Sequence, residues 1–207
     1  MKRTVVTVLS LVAMAALLWL FPLVHIVRLA DEKPSDSFDA AKFAKDFWTD
    51  KLMPALTNAA DATTVLSALR EDPASAGQQY GRKVGISRSR FYFVRGTGKI
   101  VSIEPQGIGL SLGSAEEAEI VLQTGLLFGN AVRDATGLTS ASNFPNSQAF
   151  NDASTELNHL VETQVLPSLK QQAQVGRRVR FVGCGEVRAD ARDLAPLKLV
   201  PLEVHFE

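Results

Sequence analysis

Between Gly129 and Asn158 the chain concentrates side chains that form hydrogen bonds: Asn130, Arg133 and Asp134, then Asn143, Asn146, Ser147, Gln148 and Asn151, then Glu156 and Asn158. Amides beside an arginine–aspartate pair suit a neutral, hydroxyl-rich ligand, because an amide both donates and accepts without demanding a charged partner. In that reading Arg133 and Asp134 orient ligand hydroxyls, and Asn143, Asn146 and Asn151 complete the hydrogen bonds. The same residues also have structural uses. Asn146 or Ser147 is placed to cap a helix, Asn143 to form a turn before Pro145, and Arg133–Asp134 to make a surface ion pair.

A second group, Arg88, Arg90, Tyr92 and Arg95, falls in a stretch with strand character. Arg90 and Tyr92 together could grip an anionic or sugar ligand by bidentate contact and stacking, or form a solvated face of snorkelling arginines. Signals for catalysis are weak, and no cofactor is expected. His25, His159 and His205 are scattered, so neither a zinc site nor a nucleophilic triad assembles. Glu116, Glu117 and Glu119 read as a charged hairpin turn, and Gly96-Thr97-Gly98 as a strand bend or bulge with no following helix to hold phosphate. The lone cysteine, Cys184, sits between small and apolar residues, as a buried thiol would.

The elements that must position these groups follow from periodicity. Phe38, Ala41, Ala44, Phe47, Trp48, Leu52, Leu56 and Ala59 recur at helical spacing, with Pro54 expected to kink or divide the helix. A second helix is expected from Ala62 to Leu69, and a third from Asp72-Pro73 to Tyr80. Strands are then expected over Arg90–Val94, Gly98–Glu104, Ile108–Leu112 and Ala118–Gln123. A helix-prone stretch at Gly129–Thr136 precedes a long helix running to about Gln172. Strands Arg177–Val187 and Leu197–Phe206 close the chain, joined by a loop holding Asp190, Arg192 and Asp193. This is an α+β protein, and the order of strands, helix and strands matches an OB-like β-barrel (81–207) behind a helical part (38–80). The segments Leu52-Met53-Pro54-Ala55-Leu56 and Val165-Leu166-Pro167-Ser168-Leu169 echo one another, and each leads to a Gly-Arg-basic-Val strand start.

The 22 basic and 22 acidic residues cancel, which argues against a nucleic-acid partner. Residues 4–27 carry no formal charge and exceed the ~20 residues needed to cross a bilayer. They are also longer than the apolar region of a cleaved leader, about 7–15 residues. Lys2 and Arg3 favour a cytoplasmic N-terminus. Residues 1–29 therefore read as a tip and transmembrane anchor in the inner membrane, 30–37 as a linker, and 38–207 as a periplasmic domain.

Phe47-Trp48 with Lys51-Leu52-Met53-Pro54-Ala55-Leu56, Tyr80-Gly81-Arg82, Phe93-Val94-Arg95-Gly96-Thr97-Gly98, Gly129-Asn130-Ala131-Val132-Arg133-Asp134, and Asn143-Phe144 with Phe150-Asn151 occur in an order that resembles the DUF2291 family of bacterial periplasmic lipoproteins. The resemblance spans about Phe38 to Phe206 and carries no assigned activity. It implies an accessory role beside sugar ABC importers, so a sugar ligand and transporter components are the implied partners. The apolar run departs from the lipoprotein pattern, with Leu20-Phe21-Pro22-Leu23-Val24-His25 where a lipid-bearing cysteine would stand. The expectation is a membrane-tethered, non-enzymatic binding protein. A glycan hydrolase using Asp134 and Glu156, and a structural partner with an exposed apolar patch, are the alternatives.

Overall fold

The computed structural model describes residues 38–113, 116–188 and 196–207, together with Met14. The chain divides after Ser37, and the body described here is Phe38–Glu207. The expected anchor (4–27) and linker (30–37), and the loop holding Asp190, Arg192 and Asp193, lie outside the described residues. Among the described residues, no helix is long and apolar enough to cross a membrane.

Two proline-bearing helices dominate the α portion. Helix α1 (Ala40–Phe47) starts at Asp39, whose side chain accepts from the Lys42 N–H, and buries Ala44 and Phe47. It continues through a widened turn, Trp48–Leu52, into Met53–Ala55. Proline lacks an N–H, and its ring collides with the carbonyl four residues back. The chain meets this by opening one π-type turn just before Pro54, where the Met53 N–H reaches the Trp48 carbonyl. The same solution recurs downstream. Helix α5 (Ser147–Leu160) opens into the wide turn Val161–Val165, with the Leu166 N–H on the Val161 carbonyl, ahead of Pro167 in α6 (Leu166–Gln172). The prolines therefore widen these helices rather than end them.

Strand β1 (Ala60–Asp61), helix α2 (Ala62–Glu71), helix α3 (Pro73–Gln79) and strand β2 (Arg82–Lys83) link α1 to the main sheet. Asp61 caps α2 and Asp72 caps α3. The Ser75 hydroxyl and two backbone N–H groups hold the Asp72 carboxyl below the usual range. The sheet continues with β3 (Ser89–Glu104), β4 (Gly107–Ser111), β5 (Ile120–Gln123), β6 (Arg178–Arg188) and β7 (Leu197–Phe206). Its pairings return on themselves: β3 with β4, β4 with β5, β5 with β7 in parallel, β7 with β6, and β6 with β3. Val94, Ile100, Ile108, Leu110, Ile120, Leu122, Phe181 and Leu199 are buried in the core these strands share with the helices. Burying each such side chain contributes about 1.5–3 kcal/mol.

The two expected strands Arg90–Val94 and Gly98–Glu104 are one 16-residue strand. Its register against β6 runs unbroken from Ser89 to Lys99, so Gly96-Thr97-Gly98 forms no bulge there. These glycines are small because neighbours press on them: a Cβ at Gly96 would meet Phe181 at 3.1 Å and Ala62 at 3.2 Å. The irregularity lies further on, between Ile100 and Ser102 against β4. A second lies between Val182 and Gly183, opposite Pro201, which has no N–H to offer the ladder.

Of the three glutamates in the expected hairpin turn, Glu119 closes the β4–β5 connection. Its carboxylate accepts the Leu112 N–H at 2.9 Å and pairs with Arg70 at 3.0 Å. The Leu112 N–H leads in holding the Glu119 carboxyl below its ordinary value, with Arg70 assisting and burial opposing. A depressed carboxyl stabilises the fold above its unfolded pKa, and that stability is lost as pH falls through the folded value. Glu119→Gln should therefore cost about 1 kcal/mol at neutral pH. The difference from wild type should shrink progressively as pH falls below ~4. Urea titrations at both pH values check this, and an equal loss at both would refute it.

Candidate functional site

Arg133 and Asp134 lie on a four-residue helical turn, α4 (Ala131–Asp134), and both are buried, Arg133 with 1% of its surface exposed. The guanidinium is used internally. Its Nε donates to Asp134 Oδ1 at 2.7 Å and its Nη2 to Oδ2 at 2.9 Å, while Nη1 donates to the Phe150 carbonyl at 2.6 Å. Its carbon lies 3.2 Å from the centroid of the Phe150 ring. Instead of the surface ion pair offered as the plain alternative, this is an interior tie between α4 and α5.

The expected amide ligands take up capping roles or face solvent. Asn146 caps α5, accepting the Ala149 N–H at 2.8 Å. Asn143 Oδ1 accepts the Ser140 N–H at 2.9 Å and the Ser140 hydroxyl at 3.0 Å. Asn151 is exposed on α5, and Asn158 is buried and donates to the Gly129 carbonyl at 3.1 Å. Between the two asparagines of the loop, Phe144 sets its ring edge-on to Phe38, Phe43 and Phe150 at 4.9–5.3 Å, and so joins α1 to α5. Asp134 and Glu156 do not line any of the three clefts described below.

Arg90 and Tyr92 are brought together at one end of β3. The Arg90 side chain lies over Gly77 and Gly81, and its Nη1 reaches the Gly81 carbonyl at 3.4 Å. Tyr92 is buried, which raises its hydroxyl pKa against the opposing pull of Arg90. Both residues line a cleft of about 410 Å³ with Leu69, Asp72, Gln78 and Arg188. A second cleft of about 420 Å³ lies over β4 and β5, bordered by Gln106, Gln123, Lys198 and Leu126. Leu126 and Phe128 are exposed there on either side of buried Leu127, whose N–H donates to Glu162 at 2.8 Å.

The largest of the three clefts, about 660 Å³, opens between the end of the α1 extension and the β1–β3–β6–β7 sheet. Register builds its wall. Asp61 pairs with Arg95, Arg95 with Val182, and Val182 with Glu203, so these side chains share one face. In the next row Thr97 pairs with Arg180, and Arg180 with His205. Met53, Leu56, Thr57 and Thr63 complete its lining from the helical side, with Val182 the apolar member of the strand wall. Of these residues only Arg95 belongs to a group offered from the sequence as a possible ligand contact. Arg180, Glu203 and Asp61 lie far apart along the chain, and strand pairing alone makes them neighbours. No group of three or more His, Cys, Asp or Glu among the described residues could hold a metal ion.

Because Arg133 fills a structural position, Arg133→Met should destabilise the fold by about 3–5 kcal/mol, leaving the Asp134 charge buried and unpaired. Replacing both, Arg133→Met with Asp134→Leu, should recover much of that loss. Urea denaturation measures both changes, and an unchanged midpoint for the single variant would remove the tie from the account.

The fold likeness is to a crystal structure described as an OB-fold protein from Thermotoga maritima. It is 30% identical, with a TM-score of 0.75, and the match covers 82% of this chain and 99% of that one. No curated protein matches the chain. The family model described as "predicted periplasmic lipoprotein (DUF2291)" matches residues 12–205, and the chain belongs to that family.

Proposed function

We propose that the body Phe38–Glu207 is a non-enzymatic binding domain in the periplasm that takes a small polar ligand, a sugar among them, into the 660 Å³ cleft. The supporting observation is the composition of that cleft. Its volume falls in the range of small-molecule sites, about 300–1,000 Å³, and its lining combines apolar side chains with polar and charged ones. Met53, Leu56 and Val182 supply apolar surface, while Thr57, Thr63, Thr97, Arg95, Arg180 and the acids Asp61 and Glu203 supply polar groups. The hydrolase alternative finds less support, since both Asp134 oxygens are taken by Arg133. A role beside a carbohydrate ABC importer accords with a binding domain held close to the inner membrane.

The tether is the second half of the proposal. The family description names a lipoprotein, and lipid attachment needs an accessible thiol. The single cysteine of this sequence, Cys184, is fully buried in β6, where loss of water pushes its thiol pKa far up. Residues 4–27 would then hold the domain to the membrane as a single span with the N-terminus in the cytoplasm. Fractionation of expressing cells should leave the chain in the carbonate-washed membrane pellet, with no incorporation of labelled palmitate. A soluble species beginning near Asp31, or a labelled one, would overturn the tether.

The binding half is tested by thermal shift against a panel of monosaccharides and glycan fragments. A true ligand at one hundred times its Kd adds ~2.7 kcal/mol. That raises Tm by about 5–10 °C for a domain of this size. Thr63→Trp, which fills the cleft from an exposed helical position, should abolish the shift. If Thr63→Trp leaves a shift intact, the ligand binds elsewhere.

A further inference from the structure

We infer that the ligand of this cleft is a hydroxylated molecule bearing one anionic group, carboxylate or phosphate, held by Arg95 and Arg180. The inference deepens the reading of the cleft given above and rests on it. Arg95 faces Val182 across the β3–β6 ladder and Arg180 lies two residues before Val182, so the two arginines are diagonal neighbours on one face. Diagonal positions of this kind are ~7–8 Å apart, within reach of long side chains. Two guanidinium groups can therefore converge on one anion between them, each offering a planar fork matched to carboxylate or phosphate oxygens.

Two acids, Asp61 and Glu203, share the cleft wall with these arginines, but among the described residues neither forms an ion pair with Arg95 or Arg180. Asp61 is the β-bridge neighbour of Arg95, yet its Oδ1 accepts the Thr64 N–H at 2.9 Å and the Thr64 hydroxyl at 3.0 Å, capping α2. Glu203 stands 3.4 Å from His205. Among the described residues, no ion pair or hydrogen bond engages the Arg95 or Arg180 side chain, although both line the cleft wall. Arg70, Arg133 and Arg178 by contrast each pair with a carboxylate. Two like charges side by side that no carboxylate bridges directly repel one another, and an anion held between them offsets that cost as it binds. Thr57, Thr63 and Thr97 then meet the remainder of the ligand with hydroxyls that donate and accept.

Isothermal titration of the full chain with glucose, glucuronate, glucose 6-phosphate and inorganic phosphate tests the assignment. At least one charged sugar should bind tenfold or more tightly than glucose, and which one binds identifies the anion. Arg95→Gln and Arg180→Gln should each weaken that binding tenfold or more. Arg88→Gln, an exposed change outside the cleft, should leave it as in wild type, and the melting points of all three variants should match. If glucose binds as tightly as the charged sugars and Arg95→Gln has no effect, while Thr63→Trp abolishes binding, the anion is wrong and the cleft stands. Inorganic phosphate binding as tightly as glucose 6-phosphate would refute the part assigned to the hydroxyls. Binding of a charged sugar that survives Thr63→Trp, or no binding by any probe, overturns the inference and the cleft together.

Discussion

A positive charge buried inside a protein must find its counterion and its hydrogen bonds there, and the architecture is arranged around one such charge. Arg133 reaches Asp134 with two parallel bonds, the Phe150 carbonyl with a third, and the Phe150 ring with its flat face. A bidentate pair in a dry setting carries geometric as well as energetic weight, because small displacements break two bonds at once. The α4 turn is thereby fixed to α5. Phe150 in turn packs on Phe144, which packs on Phe38 and Phe43 of the first helical layer. One charged contact thus leads through a chain of rings from the sheet side of the molecule to its outer helix.

The remaining order comes from backbone pairing. Five strands, each bonded to two others in a ring, leave the short β1 and β2 as additional partners of β3. This ladder brings residues separated by more than one hundred positions, such as Asp61 and Glu203, onto one cleft wall. The two proline helices share a further device, a single widened turn before the ring, and the Gly-Arg-basic-Val segment that follows each of them further along the chain enters a strand antiparallel to β3. The echo between Leu52–Leu56 and Val165–Leu169 thus extends to the geometry of the turn, where the same chemical problem receives the same solution.

Much of this was legible in the residues. Helical stripes, capping aspartates and closing strands all follow from local periodicity and side-chain chemistry. Asn146 caps its helix, as one of its two readings had it. The glycine pair of β3 was legible as special but not for its reason, because close approach by Phe181 is a tertiary fact. The polar segment illustrates the harder limit. Sequence shows that Arg133, Asp134 and three asparagines lie near one another, but not which way they point, and burial turned the first two inward. Cleft residues such as Arg180 alternate with apolar neighbours like those of any half-exposed strand. Only the register against β3 and β7 distinguishes Arg180 from Arg178 on the same face, which reaches Glu207 at the chain end.

The sealed position of Cys184 has a consequence for life outside the cytoplasm. A periplasm kept oxidising by its disulfide-forming enzymes challenges every accessible thiol that passes through it. This chain offers one thiol, fully buried and with no second cysteine to join. The fold of this domain therefore depends on no internal disulfide, and its one thiol needs no oxidase or isomerase to pair it.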